Sequence, residues 1–66
     1  MKAGDKYRYF KGGAYTFLMF AYNEKDGLKQ VVYQCDRINQ VLVSPAYEFF
    51  EELEHGQRRF RHIPEY

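Results

Sequence analysis

Tryptophan is absent from this chain, and cysteine, serine and threonine occur once each, as Cys35, Ser44 and Thr16. One cysteine excludes an intrachain disulfide, and a lone free thiol fits a reducing, cytoplasmic setting. The two histidines, His55 and His62, have no second His or Cys at ligand spacing, so neither a structural metal nor a cofactor is expected. The longest apolar run, residues 17–22, has the length of a strand. It is far short of the roughly 18 residues that signal a membrane span, and no charged-then-apolar leader is read. A formal net charge of +1 excludes strong bulk attraction to polyanions, though not a local basic patch.

What the chain does have is aromatic rings. Seven Tyr and six Phe in 66 residues must replace the staples that a domain this small usually needs. Such a chain buries only about 60% of its unfolded surface, and each ring can bury roughly 150–250 Å². One domain, residues 1–66, is expected, held together by ring packing.

Turn signals divide the chain at short intervals. Gly12-Gly13, the run Asn23 to Gly27 ending in Asp-Gly, and the run Asp36 to Gln40 each interrupt β-branched and aromatic stretches. Strands are predicted at 6–10, 14–22, 28–35 and 41–44, giving a mainly β fold. In the second strand Tyr15, Phe17, Met19 and Ala21 fall on one face, and Leu18, Phe20 and Tyr22 on the other. Both sets are apolar, so both faces are expected to be covered. Two readings stand for SPAYEFFEELEHG. In one, Ser44 caps a helix that Pro45 opens and Gly56 ends, burying Ala46, Phe49, Phe50 and Leu53 at helical spacing. In the other, a helical turn at 45–49 leads into a strand at 50–54, hairpinned through His55-Gly56 to a last strand at 59–63. The tail Pro64-Glu65-Tyr66 is expected to fray.

The stretch GDKYRYFKGGAY, residues 4–15, resembles the GxYRHFKG-like opening of an uncharacterised family of small bacterial domains. Val31-Val32-Tyr33, Val43-Ser44-Pro45, Phe50 to Glu52 and Arg59-Phe60 follow in that family's order. The resemblance implies a small SH3-like antiparallel β-barrel with one short helix or helical turn near residues 45–53, and it favours the turn-then-strand reading. It implies no activity. The family has His where this chain has Tyr9, a His-Ser-Glu-Thr-like loop where it has Asn23 to Asp26, and Trp-Val-Arg-Pro where it has Leu42 to Pro45. Those changes replace the polar residues most suited to a shared site.

Pairing of the terminal strands, usual in SH3-like barrels, would gather Lys6, Arg8, Arg59 and Arg61 on one surface, with Lys11 and Arg58 at its margins. Beside Tyr7, Tyr9 or Tyr15 such a surface suits phosphates and stacked bases. The plainer reading is that cations solubilise an edge strand and tyrosines line a barrel wall, ring in and hydroxyl out. A non-enzymatic binding module for an anionic partner, nucleic acid or a nucleotide, is therefore expected. The alternative is a protein-binding or homodimerisation module using an apolar face at Leu18 and Phe20. Catalysis has little to stand on. Cys35 reads as a small core residue, a Cys35–His62 pair lacks local support, and the acids from Glu48 to Glu54 read as a solvated face.

Overall fold

The structure, a computed structural model, describes residues 1–64. Most of the tail expected to fray, Glu65 and Tyr66, lies outside them. Five strands, β1 (Lys6–Tyr9), β2 (Ala14–Tyr22), β3 (Lys29–Cys35), β4 (Gln40–Pro45) and β5 (Phe60–Ile63), form one antiparallel sheet in the order β4-β3-β2-β1-β5. The first four make a meander, because each predicted turn chemistry is present. The β1–β2 turn sets Gly12 and Gly13 at φ +102° and +97°, which other residues rarely adopt. After β2, Asn23 and Asp26 side chains accept from the amides of Lys25 and Leu28 at 2.9 and 2.8 Å, as Asx turns do.

The terminal strands lie side by side as expected: Lys6, Tyr7, Arg8 and Tyr9 pair with Ile63, His62, Arg61 and Phe60. The sheet is nevertheless open. β4 and β5 are its two edges and are not paired with each other.

Residues 44–56 follow the shorter of the two readings. One helical turn, α1 (Ala46–Phe49), ends at Phe50. The chain then extends, with a single bridge between Glu52 and Arg58 in place of a regular strand. A 3-10 turn at Glu54–Gly56 reverses it, with His55 and Gly56 at φ +62° and +73°. The long helix fails because Glu51, Glu52 and Glu54 would crowd its C-terminal end against the helix dipole. Phe49 is the one buried residue of this turn, while Tyr47, Glu48 and Phe50 beside it are exposed.

The even alternation expected of β2 also needs correction. Phe17 pairs with Tyr33 but Met19 pairs with Val32, so Leu18 is the extra residue of a β-bulge. Beyond the bulge the phase inverts. Phe20 turns inward opposite Val31, its ring centroid 5.1 Å from that of Phe17. Met19 turns outward and is 55% exposed.

The core is a cup of rings on the inner face of the sheet: Tyr7, Phe17, Val31, Tyr33, Phe49 and Phe60 are buried. Phe49 of α1 stands on Tyr7, Tyr33 and Phe60 at centroid distances of 5.4, 5.3 and 4.2 Å. Burying each such ring is worth roughly 1.5–3 kcal/mol. The ring-ring geometry adds about 0.5–1.5 kcal/mol per pair.

Candidate functional site

The residues singled out in the sequence separate into three groups. Tyr7 belongs to the core: it is 7% exposed, with Phe49 and His62 against its ring. It offers no face to a ligand, which corrects its place among the stacking candidates. Leu18 and Phe20 do not form an outer patch either, because the bulge sends Phe20 into the core face.

Arg8 and Arg61 form the second group. They sit directly opposite each other across β1 and β5, on the outer face of the sheet, and both are exposed. Arg58 joins them at the rim of an open recess of about 450 Å³, which Tyr9, Phe10 and Gln57 also line. Lys11 stands near, its ammonium 5.6 Å from the centre of the Phe10 ring. Among the described residues no carboxylate comes within ion-pair distance of Arg8, Arg58 or Arg61. Lys6, by contrast, is spent within the fold. Its Nζ donates to Asp36 at 2.9 Å and to Thr16 at 2.7 Å.

Arg59 belongs to a third group, distinguished from the exposed arginines by its partner, although its guanidinium lies 6.0 Å from the centre of the Phe10 ring that lines their recess. Its Nη2 donates to Glu51 at 2.7 Å, and that bond holds its pKa above the ordinary guanidinium value. Its Nε is buried without a partner. Arg59 walls a second recess of about 390 Å³ that Tyr9, Tyr15, Tyr33, Ser44 and Glu48 also line. Burial, then neighbouring tyrosines, pushes the Tyr33 hydroxyl above its usual pKa. Burial, then Cys35, does the same to Tyr15. Both are neutral hydroxyls at neutral pH, able to donate and to accept.

Tyr9 lines both recesses. Its ring rests edge-on against Phe10 and Tyr15, at 4.9 and 6.1 Å. A strand places neighbouring side chains on opposite faces, so Arg8 points outward with Arg61 while Tyr9 turns toward Tyr15 and Phe60. The two meet only at the rim of the recess at the end of β1.

Sequence reasoning missed Tyr33, Ser44 and Glu48. They come to the recess through the β3–β4 register, Tyr33 opposite Leu42 and Ser44 opposite Val31, and through the α1 turn. The hairpin turn between β3 and β4 is the one signal that aligned them. Cys35 and His62 occupy one cross-strand row, but Tyr15 and Tyr7 stand between them on β2 and β1. Among the described residues no three His, Cys, Asp or Glu side chains gather as metal ligands, and no helix is long and apolar enough to cross a membrane.

Comparison with known proteins leaves the activity open. No curated protein and no solved structure matches the chain. Residues 5–62, nearly the whole of it, match the model of a family described as "Protein of unknown function (DUF1653)", and the chain belongs to that family.

Proposed function

We propose that this domain is a non-enzymatic binding module for a phosphate-bearing partner, single-stranded nucleic acid or a nucleotide. The observation that carries the reading is the opposition of Arg8 and Arg61 with Arg58 beside them, without carboxylate partners among the described residues. Two arginines in register on an edge repel each other, and a bound phosphate relieves that repulsion with charge-assisted, bidentate hydrogen bonds. Tyr9 supplies a ring at the margin of the same recess, where a base can stack. The strand order β4-β3-β2-β1-β5, with a helical turn between β4 and β5, supports kinship with SH3-like barrels, opened at one side. The single thiol supports a cytoplasmic setting.

Titration of labelled single strands of DNA and RNA tests this reading, with ATP in a thermal-shift assay as the nucleotide arm. Each arginine–phosphate contact on a single strand adds about 0.7 to the slope of log K against log salt, so three contacts give a slope near −2. Arg8→Ala and Arg61→Ala should each lower that slope by about one contact's worth. Absence of binding at micromolar protein in both arms, or affinity indifferent to salt, rejects the reading.

A further inference from the structure

The outer face of the sheet is divided. Its β1–β5 half carries Lys6, Arg8 and Arg61. Its β2–β3–β4 half carries no charge in any of three cross-strand rows: Thr16, Gln34 and Val41; then Met19, Val32 and Val43; then Ala21, Gln30 and Pro45. The middle row is apolar across all three strands. Met19, Val41 and Val43 are 55%, 57% and 60% exposed. Ordinary solvated sheet faces alternate polar residues at such positions.

The two edges of the sheet differ in the same sense. β5 is four residues long and exposes Arg61 and His62. The residue that enters it is tied down by a bond from the Arg59 amide to the Glu51 carbonyl at 3.0 Å. β4 is six residues long, QVLVSP, with no charge and with Pro only at its end. None of the backbone hydrogen bonds made outside the ladders involves Gln40 to Pro45, so its outward N–H and C=O groups face solvent among the described residues. Sheet proteins usually protect such an edge with charges, bulges or a covering loop. Among the described residues β4 itself carries no charge and no bulge, and the charges of Glu48 and Arg59 share a recess with Leu42, Val43 and Ser44.

We infer that β4 is a self-association edge, and that its occupant is β4 of a second copy of this chain, paired antiparallel across a two-fold axis. The charge distribution selects a second copy. A two-fold axis sets each surface against itself, so a charged edge repels its own copy and a neutral one does not. An axis at Leu42 sets Val41 of each protomer opposite Val43 of the other, on the outer face. The apolar row of each copy then meets Val41 of the other across the junction, and ten strands share one sheet. Because each copy has one open edge and one charged, short edge, pairing stops at two and no fibre grows. This inference does not rest on the phosphate reading, since Arg8, Arg58 and Arg61 lie at the other side of the sheet.

Sedimentation equilibrium of the full chain, from about 5 μM to about 1 mM, is the test. The mass should rise from 8.0 kDa toward twice that value. Val43→Lys places two ammonium groups beside the axis and should raise the dissociation constant at least about tenfold. Val41→Lys should do the same. Both positions are more than half exposed, so circular dichroism of either variant should match the parent chain. Arg61→Ala should leave the association unchanged. Hydrogen exchange should slow at the amides of residues 40–45 as protein concentration rises. A monomer throughout the range, or a dimer indifferent to both lysine variants, overturns the inference. Oligonucleotide binding by Val43→Lys, unchanged from the parent, separates this result from the fate of the phosphate site.

Discussion

The ring of Phe49 lies flat against the ring of Phe60, with centroids 4.2 Å apart and planes 6° from parallel. The other close ring pairs in the core meet tilted or edge to face. Phe49 comes from the turn after β4, and Phe60 opens β5, which pairs with β1. The stack therefore joins the two ends of an open sheet without any backbone hydrogen bond between its edge strands.

Phe60→Ala should cost about 3–5 kcal/mol through lost contacts and the cavity left behind. A domain of this length has only a few to about 10 kcal/mol in total. Urea unfolding should find the variant largely unfolded at 25 °C. Phe60→Leu and Phe49→Leu should each remain folded. Their double-mutant cycle should show a coupling of about 0.5–1.5 kcal/mol. Additive single effects would mean that the stack is incidental contact.

A polar cluster on the outer face gives the molecule an acid limb. Burial by itself would raise the Asp36 carboxyl. Hydrogen bonds from Thr16 and Lys6, with the Lys6 charge, outweigh it and hold the group below the usual carboxylate range. The unfolded chain binds this proton more readily than the folded one. The stabilisation is complete above the unfolded value of about 3.9, and it fades as pH falls through the lower folded value. Asp36→Asn should lose about 1 kcal/mol at pH 7. The gap between the two proteins should close below about pH 4. Denaturation midpoints measured across that range check the sign, because a gap that widens in acid would reverse the assignment.

Leu18 marks where the sequence stopped being legible. Four of the strands and their turns follow from Gly12-Gly13, Asp26-Gly27 and the β-branched runs, because turn chemistry is local. The pairing of the chain ends is implied only by the resemblance to SH3-like barrels. The bulge is not local. It exists because Phe17 and Phe20 both gain burial against β3, at Tyr33 and Val31, and an unbroken strand could give that to only one of them. A period-two count therefore placed Met19 inside and Phe20 outside. The same limit applies to Tyr33, Ser44 and Glu48, which meet Tyr9 only through long-range register. Deleting Leu18 removes the extra residue and leaves a regular strand in which Phe17 and Phe20 still face inward, opposite Tyr33 and Val31, with Met19 outward. The deleted chain should therefore keep a cooperative thermal transition, as should Leu18→Ala, which keeps the bulge. Loss of the transition on deletion would show that the bulge does more than set the phase.

The basic residues separate by partner rather than by sequence. Arg59 and Arg61 are two positions apart, yet Glu51 neutralises Arg59 at 2.7 Å while Arg61 faces Arg8 across the strand pair. Arg59→Ala removes a cation already compensated and leaves Glu51 unpaired beside the 3-10 turn. Its effect should be read in stability, as a loss of about 1 kcal/mol or less for a partly exposed pair, with the salt slope of oligonucleotide binding unchanged. Arg61→Ala removes an uncompensated cation from a strand whose neighbour, Arg8, repels it. Stability should hold or rise slightly, while the slope of log K against log salt falls by about 0.7. Thermal unfolding and salt titration of the two variants side by side separate the roles. Equal slopes would show that the phosphate, if bound at all, does not sit at the Arg8–Arg61 pair.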